Sequence, residues 1–317
     1  MQLPLRLLTP GEQVVLISHI NPDGDAVGSL LALALVLKNL GWKEVIPVLS
    51  DGVPSSFNYL PLSKAVIREV PLHADYCILL DANETSRSGQ HDALQQYLAT
   101  DRLIVIDHHP PTQLINRAVD HLHQVDISST CEILYTAFRA SKIKITAEIA
   151  TCLLTGIFTD TGGYHHSNTR NETLEACGFL MRCGGRLDQV VSNLVQGKTL
   201  SSLRLLGIAL ERVTITSKGR CAVTALTQAD IEGTQATAAD ISGIVGHLAM
   251  LPGVKCALLI SEFTPGIVRG SLRTTEGSTA DVERLAKLLG GGGHKKAAGF
   301  SVYGHIEVRG QTWKVVA

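Results

Sequence analysis

Aromatic side chains are scarce in this chain: six Phe, six Tyr and two Trp among 317 residues. That leaves little material for an extensive surface on which successive bases stack. A surplus of positive charge is also missing. Lys and Arg number 28 against 29 Asp and Glu, a formal net charge of −1. Nothing here supports a broad basic groove gripping long DNA or RNA, although a small phosphorylated ligand held by local charges remains compatible. The seven cysteines (Cys77, Cys131, Cys152, Cys177, Cys183, Cys221 and Cys256) are scattered and include no CxxC pair. They read as small core residues rather than a disulfide framework or zinc knuckle, which fits a reducing compartment. No apolar run is long enough to span a bilayer: the stretch 29–37 is short and Lys38 ends it. Residues 1–10 lack the basic and apolar regions of a secretion signal, so the expectation is a cytoplasmic protein without membrane attachment. Internal repeats and low-complexity tracts are absent as well.

What is present is an ordinary globular mixture, 45% hydrophobic and 18% charged, long enough for two domains. The first half alternates strand-like and helix-like stretches. Residues 14–18, 45–49, 76–80 and 103–106 are apolar with little alternation, as expected for strands of a parallel sheet covered on both faces. Residues 26–40 form a helix pattern stopped by Gly41. Residues 146–159 and 171–183 also read as helices. The expected fold is α/β: an open, largely parallel sheet with helices on both faces over 1–190, a helical linker over 191–211, and a smaller α/β domain over 212–317. In that second domain 212–226 and 254–263 are strand-like, and 267–273 can pair with the latter across the Thr264-Pro265-Gly266 turn. Residues 236–248 and 279–288 read as helices there.

Four polar clusters follow apolar runs: His19-Ile20-Asn21-Pro22-Asp23-Gly24-Asp25, then Asp81, then Asp107-His108-His109, then Thr159-Asp160-Thr161-Gly162-Gly163. In an open parallel sheet the carboxyl ends of the strands share one crevice, where residues of all four could converge. Each has a plain structural alternative; Asp25 could cap the following helix, and Asp81 a turn. Four coincidences are harder to accept than one. Converging carboxylates repel each other unless cations lie between them. A mixture of Asp and His suits Mn²⁺ best, with Zn²⁺, Fe²⁺ or Co²⁺ as further options and Mg²⁺ less natural. Two such ions can activate water and hold phosphoryl oxygens. In the second domain Arg273 can offer two parallel donors to a phosphate. Gly290-Gly291-Gly292-Gly293-His294-Lys295-Lys296 could supply an amide nest for an anion. A dinucleotide fold of the GxGxxG kind is excluded, because Asp23-Gly24-Asp25-Ala26-Val27-Gly28 puts acids where a pyrophosphate needs bare backbone.

On these motifs the chain resembles the DHH phosphoesterase family over nearly its whole length. His19 to Ala26 matches the first motif, Asp81 the second, Asp107-His108-His109 the third, and Thr159-Asp160-Thr161-Gly162 the fourth. Gly290 to Gly299 matches the glycine-rich motif of the DHH-associated C-terminal domain. The resemblance implies that His19, Asp23 and Asp81 hold one metal and Asp25, Asp81, His108 and Asp160 the other. It implies that His109, with Asp107 and Arg273, serves catalysis, and that His109, Arg273, His294, Gly291, Gly292, Gly293 and Arg87 contact substrate in an interdomain cleft. Ala82 departs from relatives that carry Cys or Thr after the second-motif aspartate, which bears on fine tuning. The two-domain members similar to this chain act as oligoribonuclease and 3′-phosphoadenosine 5′-phosphate (pAp) phosphatase. The implied substrates are therefore short RNA oligomers, cut to 5′-mononucleotides, and pAp, converted to AMP. The implied cofactors are two divalent cations, and a homodimer is the family-level expectation. A linear or cyclic dinucleotide phosphodiesterase, or a non-catalytic nucleotide binder, are the alternatives. The tail after Gly304 carries no motif.

Overall fold

A computed structural model describes residues 3, 11–71, 74–194, 199–216, 218, 220–275, 277–310 and 312–316. It divides into two compact units, Met1–Gly197 and Lys198–Ala317.

The first unit runs β1 (Val14–Ile17), α1 (Gly24–Asn39), β2 (Val45–Val48), β3 (Tyr76–Leu80), α2 (His91–Ala99), β4 (Leu103–Asp107), α3 (Gln113–Arg117), β5 (Asp120–His123), α4 (Thr130–Ala140), α5 (Ala147–Asp160), α6 (Asn171–Arg182) and α7 (Leu187–Leu194). Its strands form one parallel sheet in the order β2-β1-β3-β4-β5. The apolar runs are explained by what covers them. Alternate residues go to opposite faces. Val14, Leu16, Ile78, Leu80, Ile104 and Ile106 join a core with α1, α4 and α5. Val15, Ile17, Cys77, Leu79, Leu103 and Val105 meet Leu94, Tyr97 and Leu98 of α2 and Leu114 and Ile115 of α3 on the other face. Helix α1 is apolar almost all round, and its residues from Gly24 to Ala34 are all buried. A helix of that kind belongs inside a protein.

Strand order reverses between β1 and β3. In an open parallel sheet of order 2-1-3-4-5 that reversal opens a crevice at the carboxyl ends of the two strands. Asp81, at the end of β3, has φ 57°, a left-handed conformation that Asp tolerates better than most residues. The chain thereby leaves the sheet abruptly. Ser18 Oγ donates to the Leu80 carbonyl at 2.8 Å and joins the two strand ends.

The second unit contains α8 (Leu200–Glu211), β6 (Thr214–Ile215), β7 (Cys221–Leu226), α9 (Gln228–Thr234), α10 (Ala238–Ser242), α11 (Ile244–Ala249), β8 (Cys256–Thr264), β9 (Ile267–Thr274), α12 (Val282–Leu288), β10 (Gly292–His294), β11 (Ala297–Tyr303), β12 (His305–Arg309) and β13 (Thr312–Val316). The expected pairing of β8 with β9 is there, antiparallel, within a sheet of order β10-β11-β9-β8-β7-β6. The helix pattern over 236–248 is broken at Gly243 into α10 and α11. Leu205 and Ala209 of α8, in the segment expected as linker, are buried against Ala222, Leu226 and Ile231. The tail forms a β12–β13 hairpin whose Ile306 packs near Ala225, Ile260 and Val268.

No helix among the described residues is long and apolar enough to cross a membrane.

Candidate metal centre

The polar clusters converge at the β1/β3 reversal. His19 and Asp23 come from the β1–α1 loop, Asp81 from the end of β3, and His108 and His109 from the end of β4. Asp160 differs: it is the last residue of helix α5, not the end of a strand. A carboxylate there meets the negative end of the helix dipole, so it needs positive charge nearby. His108 Nε2 stands 3.2 Å from its Oδ2.

Three groups of ligand atoms lie within 4.8 Å of one another: His19, Asp23 and Asp81; Asp25, His108 and Asp160; and Asp81, His108 and His109. In the first, His19 Nε2 is 3.5 Å from Asp81 Oδ2 and 3.8 Å from Asp23 Oδ1. Around His108 Nε2, Asp81 Oδ1 is at 3.5 Å and Asp25 Oδ2 at 4.0 Å. Donors each roughly 2.0–2.2 Å from a shared cation stand roughly 3–4 Å apart, so both groups have the right spacing for one. Ring chemistry agrees for His19. Its Nδ1 donates to the Ile20 carbonyl at 2.8 Å, which leaves Nε2 as the basic nitrogen facing the acids.

The third group is not an independent site. His109 Nδ1 is 3.6 Å from Asp81 but only 2.8 Å from Asp107 Oδ1, to which it donates. Its ring is thus oriented by Asp107, and Nε2 is the free edge. Asp107 itself is fully buried, and its Oδ2 has no hydrogen-bond partner among the described residues.

The electrostatics call for cations. Burial pushes Asp81 up to about 6, with the Asp25 charge adding to it. Burial also raises Asp25, helped by Asp160, and raises Asp160, with Asp81 opposing its ionisation. The histidines respond in reverse. Burial would lower His108, but the Asp160 hydrogen bond and the Asp25 and Asp81 charges outweigh it and carry it to about 10. His19 behaves likewise, burial being overcome by Asp23 and Asp81, and also reaches about 10. Without metal, protons on imidazoles do the neutralising; a divalent cation would displace them. The donor set, its spacing and this demand for positive charge all fit bound divalent cations.

Asp23 illustrates a double use. It caps α1, its Oδ1 accepting from the Asp25 and Ala26 amides at 3.0 and 3.1 Å, while it also faces His19. The capping role weighed as an alternative for Asp25 thus falls to Asp23, and Asp25 sits fully buried in the first turn.

Sequence reading overlooked α4. Its first amides, Thr130 N and Cys131 N, donate to Asp25 Oδ2 and Oδ1 at 2.7 and 2.9 Å. Thr130 Oγ1 donates to Asp81 Oδ1 at 3.1 Å. The available signal was Ser129-Thr130-Cys131-Glu132, which carries the S-x-x-E pattern of a helix start. Gly156 was also missed: a Cβ there would lie 2.5 Å from Asp25 Oδ1 and 2.3 Å from Cys131 Sγ.

The remaining expected residues lie elsewhere. Arg87 sits in a 3₁₀ turn whose carbonyl accepts from Ile20 N at 2.7 Å, beside the first cluster. In the second unit, exposed Arg273 pairs across β9–β11 with Ala297, which pairs in turn with His294, so the three share one row of the sheet. The side chain of His294 lies outside the described residues. The amide nest expected from the glycine run does not form from Gly290 and Gly291, because their N–H groups bond to the Lys287 and Ala286 carbonyls at the end of α12. Gly292 and Gly293 belong to strand β10. Gly291 is required sterically, since a Cβ would meet the Gly299 carbonyl at 2.1 Å.

Comparison with known proteins agrees with this arrangement. Residues 13–157 match the DHH family, N-terminal domain, and residues 218–309 the DHHA1 domain. The chain belongs to the DHH family of metal-dependent phosphoesterases. It is 32% identical to the bifunctional oligoribonuclease and PAP phosphatase NrnA of Thermus thermophilus, across 92% of this chain and 84% of that one. The protein of the same description in Bacillus subtilis is 27% identical, across 94% and 92%. Among solved structures, an exopolyphosphatase-related protein from Bacteroides fragilis superposes with a TM-score of 0.82 at 26% identity, covering 92% of this chain and 88% of that one.

Proposed function

We propose that this protein hydrolyses short RNA oligonucleotides to 5′-mononucleotides and pAp to AMP, using two divalent cations, Mn²⁺ for preference. The observation that carries the reading is the pair of adjoining ligand groups around Asp81 and His108, one with His19 and Asp23, the other with Asp25 and Asp160. Similarity to the two bifunctional relatives over most of both chains supports the substrate class. The near-neutral charge and low aromatic content favour short substrates over long polymer.

His19, Asp23 and Asp81 would hold one cation, and Asp25, Asp81, His108 and Asp160 the other. Held there, divalent cations supply Lewis acidity that lowers the pKa of a water and screens phosphoryl charge. The chain's own groups do the rest. Asp107 fixes the His109 ring through Nδ1 and favours its protonated form: burial opposes the proton, but the Asp107 hydrogen bond outweighs it. The free Nε2 edge of His109 would then donate to a phosphoryl oxygen, and Arg273 of the second unit is a charged substrate contact in this reading. Arg87, His294, Gly292 and Gly293 are further substrate contacts in this reading, whereas the amide of Gly291 is already bonded to the Ala286 carbonyl. No Ser or Cys nucleophile is needed.

The test is to strip the protein of metal, add back Mn²⁺, Mg²⁺ or Co²⁺, and assay pAp, a 5′-labelled RNA trimer and a 24-mer. Strong Mn²⁺-dependent turnover of the first two is expected. Equal cleavage of the 24-mer would overturn the short-substrate claim, and no turnover of pAp or trimer with any ion would overturn the function.

A further inference from the structure

Glu132 is a buried carboxylate that the proposed reaction does not use. It is 2% exposed, on the first turn of α4. Oε2 accepts from Ser128 N at 3.2 Å, from Ser128 Oγ, and from Thr173 Oγ1 of α6 at 2.8 Å. Arg170 Nη2 reaches Oε1 at 3.3 Å. A buried charge with this many donors is expensive to place and is retained only where its bonds are complete.

What those bonds immobilise is the 128–131 turn, and that turn touches three ligand-bearing elements. Thr130 N and Cys131 N hold both oxygens of Asp25. Thr130 Oγ1 holds Asp81. The Ser128 carbonyl accepts from Asn168 Nδ2 at 3.1 Å, and the same nitrogen lies 3.2 Å from the Asp160 carbonyl. Asp25, Asp81 and Asp160 are far apart in sequence, on α1, just after β3, and on α5. One turn connects them.

Resting on the two-cation reading above, we propose that Glu132 and Thr130 are positioning residues that fix the mutual orientation of Asp25, Asp81 and Asp160 for the cation. Glu132 acts through the turn, and Thr130 through its hydroxyl on Asp81. In Glu132→Gln an amide NH₂ must replace one oxygen that faces donors, so part of the clamp turns from attraction to repulsion. A simple staple between α4 and α6 would cost stability alone.

The experiment compares the full-length wild type with Glu132→Gln, Thr130→Val, Thr130→Ser and Asp81→Asn, all stripped of metal. Mn²⁺ affinity is read by titration calorimetry, and melting temperature in chelator by circular dichroism. Glu132→Gln and Thr130→Val should each weaken Mn²⁺ binding by about 10-fold or more, and Thr130→Ser should return to the wild-type value. A lower melting temperature with wild-type affinity in Glu132→Gln would sink the inference. If Glu132→Gln does not fold, the Thr130 pair decides: equal affinity for Val and Ser overturns the proposal. Asp81→Asn separates the two readings. Loss of binding there beside wild-type binding in the other variants would remove only the positioning role. Wild-type binding in Asp81→Asn would remove the two-cation reading, and this inference with it.

Discussion

Two helix glycines give a contrast whose sign follows from their surroundings. Gly156 lies inside α5 and Gly178 inside α6. Propensity alone favours Ala over Gly in a helix by about 1 kcal/mol. At Gly178 the nearest atom to an added Cβ is Arg182 Nη1 at 3.7 Å, an ordinary contact on a mobile side chain. Gly178→Ala should therefore stabilise by about 0.5–1 kcal/mol. At Gly156 the added Cβ meets Cys131 Sγ at 2.3 Å, Asp25 Oδ1 at 2.5 Å and Cys131 Cβ at 2.9 Å. Relaxed contacts of this kind are roughly 3.5–4 Å, so the overlap exceeds what a rotamer adjustment absorbs. Asp25 cannot retreat without leaving the Thr130 and Cys131 amides. Overpacking of this sort costs about 1–3 kcal/mol, which outweighs the propensity gain. Gly156→Ala should be destabilised by about 0–2 kcal/mol net, in contrast to the gain at Gly178, and should bind Mn²⁺ more weakly, because Asp25 is displaced. Urea denaturation in chelator measures the first, and calorimetric Mn²⁺ titration the second. If Gly156→Ala matched Gly178→Ala in both, the packing account of Asp25 would be wrong.

Asp81→Ala should abolish Mn²⁺-dependent turnover of pAp, since it removes the carboxylate facing both His19 and His108; normal turnover would leave these acids a structural role only. Saturating Mn²⁺ at about 100 times its dissociation constant should stabilise the wild type by about 2.7 kcal/mol per site through mass action, seen as a rise in melting temperature that chelator reverses and Asp81→Ala lacks. At the Arg212–Asp230 pair, burial would raise the Asp230 pKa, but the Arg212 and Thr227 hydrogen bonds and the Arg212 charge hold it below its usual value. A depressed carboxylate contributes stability above its unfolded pKa of about 3.9 and loses that contribution as pH falls through the lower folded value. Arg212→Gln should therefore cost about 1.5–3 kcal/mol at pH 7, with the difference from wild type shrinking on acidification below about pH 4; a pH-independent difference in urea melts would refute the linkage.

The parts of this protein that show in its sequence are those where one residue type does one job. The four apolar strands of the first sheet are readable because both faces are covered, so nearly every position must be hydrophobic. Asp23, Asp25, Asp81, His108 and Asp160 stand out as acids and imidazoles after apolar runs, which bland surface positions seldom follow. The edge strand β5 (Asp-His-Leu-His) has one buried residue and no hydrophobic signature. The grip of α4 on Asp25 is made by backbone amides, and amides are the same in every residue but proline. The glycine run suggested an amide nest for an anion because composition does not distinguish a glycine free to present its amide from one pressed against a neighbouring strand. Gly291 is of the second kind, with the Gly299 carbonyl where its side chain would be.

The parallel order β2-β1-β3-β4-β5 has a consequence for how a cation and the chain depend on each other. Parallel neighbours cannot be joined by tight hairpins, so His19, Asp81, His108 and Asp160 meet only after long crossovers have closed. No short fragment holds a complete donor set. Ion capture is therefore a late event, and the occupied centre acts as a lock that closes on a finished sheet, slowing its opening more than it hastens its assembly.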